Sequence, residues 1–500
     1  MNSYILVLNM GMKSVRSIVY SVDGQKVASS SLPLETCLDH EKVTQNPREW
    51  LEKIRAVVRQ SVNDINPGEI GYMTVSASSS CLICADSDCN ALGECIMVSD
   101  RRAESEAQYI SSLTGSKTEP SLMLPKILWI KNHNPDIFRQ AYKFLSPNDF
   151  LIARLTGRFV TDVFNAQKYS CTSEGYPEHL IRKLGIAPET LPDIMDIGTP
   201  IGTLTPEAAK ELELPHSVKV MLTTYDAICS FFGSGVSQEG EASDVSGTVT
   251  AFRALTFRDD LKCSEKIFAM ACKKYSLSII GGSNNLGGGL IEWVKQCCYM
   301  NESYPYEVME KDAYDAGTGA GGLIFLPYLL GERAPVWDNC ARGVFFGLER
   351  SHTRKEMTRA VFDSTGFIDL DMINAVEETG LKVKTIRLSG GLSRINLISQ
   401  IKADITGRDV MVMADFETTA GGAAVIALAG AGVYHDIREA VEAFSSVRMV
   451  IHPVRGIHEK YTELYRIYKE AYEDLRPLFI TRAEITGRIY PKHEMRIANL

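Results

Sequence analysis

The 500-residue sequence predicts an α/β chain made of two related units, and three observations carry that prediction. The chain opens on Ile5-Leu-Val-Leu-Asn-Met-Gly-Met-Lys-Ser-Val-Arg-Ser-Ile-Val-Tyr20, two apolar runs bent around Gly11, which reads as a β-hairpin. The same plan returns at Ala242-Ser-Asp-Val-Ser-Gly-Thr-Val-Thr-Ala-Phe-Arg253, again strand, glycine turn, strand. Lys384-Thr-Ile-Arg-Leu388 then reads as a strand that stops at Gly390-Gly391, where the helical pattern of Ile395, Leu397, Ile398 and Ile401 begins.

The elements between these landmarks follow in order. Asp23-Gly24 marks a tight turn into a third strand, Lys26 to Ser30. Asn46 caps a helix with Pro47 at its first position, and Trp50, Leu51, Ile54, Val57, Val58 and Val62 recur at helical period, which gives one buried face. A strand over Gly71 to Ser76 comes next, then a second over Ser80-Cys-Leu-Ile-Cys-Ala85. Three strands, a helix and strands again is the opening of a ribonuclease-H-like α/β unit. Val218 to Thr224 reads as a strand with Asp226 near its C-terminal end and a flexible segment through Gly233 and Gly235 behind it. In the second half, β segments run through Phe268 to Ile280 and a helix carries Leu290, Trp293 and Val294. Two such halves place a ligand in the cleft between them.

Composition excludes several classes of function. A chain of 500 residues exceeds one hydrophobic core and divides into domains. A net charge of −9 argues against a nucleic-acid or anionic-membrane surface. No apolar run reaches membrane-spanning length, and the N-terminus lacks a basic flank followed by an apolar stretch. Twelve cysteines, with Cys297 and Cys298 adjacent, fit reduced thiols in a cytoplasmic protein. Cys81 and Cys84 have metal-ligand spacing, but an odd offset on a strand points them to opposite faces and no histidine lies nearby, so they read as packing residues.

Several stretches resemble one family. Gly343-Val-Phe-Phe-Gly-Leu348, seven residues, then Glu356-Met-Thr-Arg-Ala-Val-Phe-Asp363 is similar to the second signature of the FGGY carbohydrate kinases at every specified position. Lys126-Ile-Leu-Trp129 with Asn132-His133 resembles the first signature, with Met123 where a small residue or proline is usual. Phe325-Leu-Pro-Tyr-Leu-Leu-Gly-Glu-Arg333 with Pro335, and Leu155-Thr-Gly with Thr161-Asp162, also look like family segments. The resemblance implies two domains of the actin/hexokinase superfamily, ATP and Mg²⁺ as cofactors, and phosphoryl transfer to a hydroxyl of a small sugar or polyol. Such chemistry asks for positioning, charge neutralisation and a base.

By resemblance, Asp226 is the general base, although Thr223, Thr224 and Tyr225 stand where the family usually has glycines. From the residues alone, an aspartate there equally caps a following helix. Gly11 and Ser14 form a first phosphate loop and Ser246-Gly247-Thr248 a second, since a glycine lets backbone N–H groups approach an anion. Gly390, Gly391 and Asn396 resemble the nucleotide shelf. Ala420-Gly-Gly-Ala-Ala424 looks like the small-residue helix start of the family, with close packing as the competing explanation. For the sugar, Ser78, Ser79 and Ser80 occupy the place of a Gln-Met-His-Gly run in xylulose kinases, and Asp100 with Arg102 resembles the family's Asp-x-Arg. The serine-rich form leans towards the ribulose-kinase branch, so a ketopentose such as ribulose or xylulose is the expected substrate.

Asn9 is the main departure, because the family has an aspartate there that faces Mg²⁺ or its water. An amide oxygen still accepts from a metal-bound water, but the charge is gone. One unit charge at about 4 Å and an effective dielectric of ~20 is worth up to ~4 kcal/mol. Met12 also replaces the usual threonine, so a loop hydroxyl is missing. Two other readings therefore stay open: a catalytically impaired homologue that binds sugar or nucleotide as a regulatory protein, and an actin-like ATPase. The expected domains are 1–238, 239–455 and a C-terminal piece, 456–500. In that piece His458 to Leu478 reads as one helix, by resemblance packed towards the first domain. The last twenty residues suit an oligomer contact, such as a homodimer, or a tail.

Overall fold

The computed structural model describes residues 3–170 and 175–489. It divides into two units. Unit 1 holds the chain up to Ser237 with Cys272–Tyr275 and Glu417–Ser445, and unit 2 holds Gln238–Ala271, Ser276–Phe416 and the chain from Ser446 on.

Unit 1 is built on strands β1 (Tyr4–Met10), β2 (Ser14–Ser21) and β3 (Lys26–Pro33), helix α1 (Pro47–Val62) and strand β4 (Ile70–Ala77). Helix α2 (Met123–His133), strands β5 (Pro200–Thr203) and β6 (Lys219–Met221) and helix α3 (Asp226–Gly233) follow. The sheet order is β5-β6-β4-β1-β2-β3. Its central strands β6, β4 and β1 are parallel, while β2, β3 and β5 run antiparallel to their neighbours. Asn46 caps α1 as its sequence requires, accepting from the Arg48 N–H, with Pro47 in the first turn. The periodic face of α1 (Trp50, Ile54, Val57, Val58) packs with Leu6, Leu8, Met73, Val75 and Val220 of the sheet.

Unit 2 repeats this plan. Its strands are β7 (Glu241–Ser246), β8 (Thr250–Thr256), β9 (Phe268–Cys272) and β10 (Leu277–Ser283). Helices α4 (Gly288–Cys298) and α5 (Arg354–Glu377), strand β11 (Thr385–Ser389), helix α6 (Asn396–Thr406) and strand β12 (Asp409–Met413) complete its centre. After helix α7 (Thr418–Gly430) the chain adds strand β13 (Val447–Ile451) and helix α8 (Arg455–Ile489). The sheet order β9-β10-β8-β7-β11-β12-β13 follows the order of unit 1 from β10 to β13, with β9 added at one edge and with β12, β11 and β7 as the parallel trio. Two ribonuclease-H-like domains is therefore the architecture.

The structure differs from the sequence reading in four places. The strand before Asp226 stops at Met221, and the segment read as flexible is helix α3. Of the stretch Ser80–Ala85 only Ile83–Ala85 is strand; Ser80 has a left-handed backbone (φ 59°), which breaks the run. Cys81 and Cys84 enter different apolar clusters. Helix α7, placed by sequence in the second domain, belongs to unit 1. Helix α8 is 35 residues long and packs in unit 2, not towards the first domain, with Tyr461, Tyr468, Tyr472 and Phe479 buried among residues of α5 and α6. Ile480 to Ile489 continues that helix, and 490–500 lies outside the described residues.

The glycines of α7 show why it packs on α3. A Cβ on Gly422 would lie 1.7 Å from the Cys229 carbonyl oxygen, and one on Gly233 would lie 1.9 Å from that of Thr418. Only hydrogen at these positions lets the backbones approach so closely. Thr418 Oγ1 donates to the Ser230 carbonyl at 3.2 Å, which sets the register of the pair. Gly421 is different, because its Cβ would meet nothing nearer than the Tyr20 hydroxyl at 3.9 Å. Overpacking typically costs about 1–3 kcal/mol, whereas Gly→Ala inside a helix gains about 0.5–1 kcal/mol where space allows. Gly422→Ala should therefore lower the urea midpoint by the equivalent of about 3 kcal/mol. Gly421→Ala should leave it unchanged or raise it.

Candidate active site

The turns that leave the parallel strands of unit 1 converge. The Ser78 N–H, just past β4, donates to the Met10 carbonyl at the end of β1 (3.1 Å). Past β6, buried Thr223 donates through Oγ1 to the Val75 carbonyl (2.5 Å), and Thr74 Oγ1 donates to the Met221 carbonyl (2.8 Å). These bonds tie the ends of β1, β4 and β6 together at the carboxyl edge of the sheet, where open α/β sheets bind ligands. Asp226 is the first residue of α3, half-buried. Its Oδ1 accepts from the Ala227 N–H (2.7 Å), and Ser78 Oγ donates to its Oδ2 (3.4 Å). It thus does begin a helix, while its second oxygen faces the turn where β4 ends.

The opening turn is closed by the Gly11 N–H donating to the Ser14 carbonyl at 3.0 Å. A Cβ on Gly11 would have only that carbonyl oxygen near it, at 3.9 Å, so nothing within the chain demands a glycine there. Asn9 is buried and pairs in register with Arg16 on one side and Ser76 on the other. Arg16 Nε donates to Ser14 Oγ (3.3 Å), and its Nη1 is ion-paired with Glu417. Opposed side chains of an antiparallel pair share a face. Asn9 therefore shares its face of the sheet with an arginine rather than with a second carboxylate. Among the described residues no group of three or more His, Cys, Asp or Glu side chains is arranged to hold a metal ion. An amide next to an arginine does not fit a Mg²⁺ ion held by this turn, since Mg²⁺ favours carboxylate oxygen.

The serine segment is held from behind by a residue that sequence reasoning did not single out for this role. Lys126, fully buried on α2, donates to the Ser80 carbonyl (2.5 Å) and to the Met97 carbonyl (2.9 Å). Burial lowers its pKa from the usual lysine value. This clamp holds Ser80 in its left-handed conformation, a state non-glycine residues keep only where the surroundings over-determine it. Asp100 is buried with both oxygens occupied: Arg102 grips it through Nε (2.9 Å) and Nη2 (2.7 Å), and the Val43 N–H donates to it at 2.6 Å. Arg102 in turn lies 4.9 Å over the Trp129 ring. Asp100 thus has no spare oxygen, and the pair ties the Val43 backbone to the face of Trp129.

In unit 2 the loop Ser246-Gly247-Thr248 follows β7, and the first turn of α4 wraps it. The Gly287 and Gly289 N–H groups donate to the Thr248 carbonyl (2.9 and 3.1 Å), and that of Gly288 donates to the Gly247 carbonyl (2.7 Å). The two glycines after β11 have distinct reasons to be there. Gly390 has φ 85° and a Cβ on it would lie 2.5 Å from the Ser246 carbonyl oxygen, so the chain requires it. Gly391 and Gly247 would each tolerate a Cβ with nothing nearer than 3.8 Å. Asn396 is exposed at the start of α6, and its Oδ1 accepts from Arg448 at 3.3 Å.

Two family models match the chain in succession, the N-terminal domain of the FGGY family of carbohydrate kinases over residues 4–233 and its C-terminal domain over 254–431. The chain belongs to the FGGY family of carbohydrate kinases. A xylulose kinase of Staphylococcus xylosus is 26% identical over 485 residues, 94% of this chain and all of that one. A gluconokinase of Bacillus subtilis (strain 168) is 26% identical over 513 residues, covering 98% and 97% of the two chains. The crystal structure of a ligand-bound xylulose kinase from Lactobacillus acidophilus superposes with a TM-score of 0.86 at 27% identity over 95% of this chain and 98% of its own.

The FGGY signatures prove to be structural in this carbohydrate kinase. Arg359 Nε is paired with Asp363 Oδ1 at 2.7 Å, and the Tyr461 hydroxyl of α8 donates to the same oxygen at 2.8 Å, so the second signature anchors the last helix. Glu332, in the Gly-Glu-Arg segment, accepts through Oε1 from the N–H groups of Asn285 (2.7 Å) and Arg333 (2.8 Å), which steadies the chain leading into α4. Burial raises the Glu332 pKa to about 7 from the ordinary 4.5. The folded chain then binds a proton here more tightly than the unfolded one, so this stabilisation is lost as pH rises from about 4.5 through about 7. Glu332→Gln keeps the acceptor and removes the titration. Thermal midpoints at pH 5.5, 7 and 8.5 should show a shallower decline for this variant than for the parent.

Proposed function

We propose that this chain transfers the γ-phosphoryl group of ATP to a hydroxyl of a small sugar, a ketopentose such as ribulose or xylulose, with Asp226 as the general base. The observation that carries the reading is the place of Asp226: on the first turn of α3, with Oδ2 turned to Ser78 at the joined ends of β1 and β4. There it accepts the proton of the attacking hydroxyl as that oxygen bonds to phosphorus. The bond from phosphorus to the bridging oxygen breaks, and ADP leaves. Gly11, Ser14, Gly247, Thr248 and Gly391 are the phosphate-facing residues of this reading. Three of them are glycines that packing does not explain, whereas a phosphate approaching the backbone does. Ser79, Ser80, Asp100 and Arg102 are the sugar-side residues of this reading. Because Asn9 and Arg16 do not fit a directly held Mg²⁺, no step is assigned to that ion.

A second acceptor class is favoured by one residue. Lys168, half-buried, places its Nζ 5.0 Å over the ring of Tyr225, the neighbour of Asp226, and has no ion pair or hydrogen bond among the described residues. A cation without a counter-ion beside the base suits a sugar acid such as gluconate, whose carboxylate it would meet.

ADP release measured over ketopentoses, polyols and aldonates tests both readings. Asp226→Asn should lower kcat by roughly 10²–10⁴ with nucleotide binding retained. If the parent binds ATP but no sugar stimulates turnover, the regulatory-protein reading replaces this one. Lys168→Gln should raise KM for an aldonate about tenfold and leave a neutral ketose unaffected if the acid is the substrate. Equal effects on the two classes would remove the sugar-acid reading.

A further inference from the structure

Beneath the loop after β7 lies a group of buried charges that the proposed chemistry does not use. Lys402 of α6, Asp244 of β7 and Asp369 of α5 are all fully buried. Lys402 Nζ donates to Asp244 Oδ2 (2.5 Å) and to Asp369 Oδ2 (2.6 Å), and its third hydrogen points to Ser246 Oγ at 3.4 Å. Ser246 Oγ donates to Asp244 Oδ1 (2.6 Å) and lies 3.2 Å from Thr250 Oγ1. One ammonium therefore joins two helices to the strand that ends in the loop, and reaches the loop's first residue both directly and through Asp244.

Such an arrangement is a poor source of stability. Taking three charges out of water costs more than their attraction returns unless the geometry is well satisfied, and apolar residues of similar volume often do better. Asp369 Oδ1 is buried with no hydrogen-bond partner, so the satisfaction is incomplete. Burial, and then the neighbouring Asp244, push the Asp369 carboxyl well above the usual range. Burial pulls Lys402 the other way, but the two carboxylates outweigh it and hold its pKa above the ordinary lysine value. The group is held together by these two ion pairs. Its geometric effect is specific, because it fixes the side chain of Ser246, whose own carbonyl oxygen packs against Gly390. The loop, the Gly390 turn and Thr250 at the start of β8 are all referred to this one point.

We propose that Lys402, acting through Asp244 and Ser246, is a positioning residue for nucleotide phosphate: it holds the loop Ser246-Gly247-Thr248 in the conformation that receives the anion. The proposal rests on the reading of this loop as a phosphate site. Lys402→Met alone strands a buried carboxylate and should lower the thermal midpoint, so the decisive variant is the uncharged set Asp244→Asn, Asp369→Asn and Lys402→Met. Calorimetric titration with ADP and steady-state kinetics are measured on the full-length chain and on this variant. The expected result is a fold intact by circular dichroism, ADP affinity and KM for ATP each weakened about tenfold, and KM for the sugar within twofold of the parent. Ser246→Ala, which cuts the link but leaves the ions, should reproduce the nucleotide effect without lowering the thermal midpoint. A folded variant with unchanged ADP affinity, or equal losses in both KM values, overturns the positioning role. Absence of ADP binding by the parent chain overturns the phosphate-site reading beneath it.

Discussion

The joined carboxyl ends of parallel strands are the constraint on which the rest of each unit depends. In unit 1 the strands β1, β4 and β6 stop at Met10, Ala77 and Met221, and beyond those points the backbone has no ladder partner. Its polar groups must be satisfied by other means. Ser78 supplies an N–H to Met10, Thr223 a hydroxyl to Val75, and Thr74 a hydroxyl to Met221. Ser78 acts through its backbone, while Thr74 and Thr223 are short polar side chains in fully buried places, where an apolar residue would leave a carbonyl group unpaired at a cost of about 1–3 kcal/mol each. The same bonds that close the sheet edge bring Asp226 next to the serine segment. The place of Asp226 is thus a by-product of finishing the sheet, and unit 2 meets the same need after β7 and β11 with glycine turns.

The glycines divide by cause. Gly233 and Gly422 let two helices of unit 1 touch, and Gly390 is required by its left-handed backbone and by Ser246. Packing accounts for each of those residues. Gly11, Gly247 and Gly391 are not among the glycines with positive φ and have room for a side chain, so packing by itself does not select them. Each stands directly after a parallel strand or one residue beyond it. A glycine without an internal cause, at a strand end, is a stronger functional indicator than a glycine in a sequence motif, because the competing explanation has been removed by the geometry.

The parts legible in the sequence were those set by local rules. The capped start of α1, the two hairpins and the family signatures depend on residues close together in the chain, and the strand order of both units follows from them. What stayed hidden depends on partners far away. Lys402 falls one turn after Ile398 on a face that is otherwise apolar, and only Asp244 and Asp369, 158 and 33 residues distant, explain it. Asp100 and Arg102 read as residues for the sugar, and only the Val43 N–H and the Trp129 ring show how both are occupied within the chain. Ser80 carries no sign of its left-handed backbone, which Lys126 imposes from another helix. The stretch after Asp226 looked flexible because of its glycines, yet Gly233 is there to let α7 approach α3 and stiffens the pair.

The altered opening turn can now be weighed by charge. A carboxylate at position 9 would lie beside Arg16 and would need a cation to offset the charge of an incoming phosphate. With Asn9 the side chain is neutral, and the anion paired with Arg16 is Glu417, immediately before α7. Both members of that ion pair are substantially exposed, so its strength falls in the range of about 0.2–1 kcal/mol. That is well below the ~4 kcal/mol that a nearby unit charge commands at short range and moderate dielectric. Glu417 therefore does not restore the missing charge. The turn is left less negative than the family pattern, with an arginine, a glycine N–H and the exposed Lys13 around it. Such a turn carries one negative charge fewer than the pattern with aspartate, and it repels any anion less.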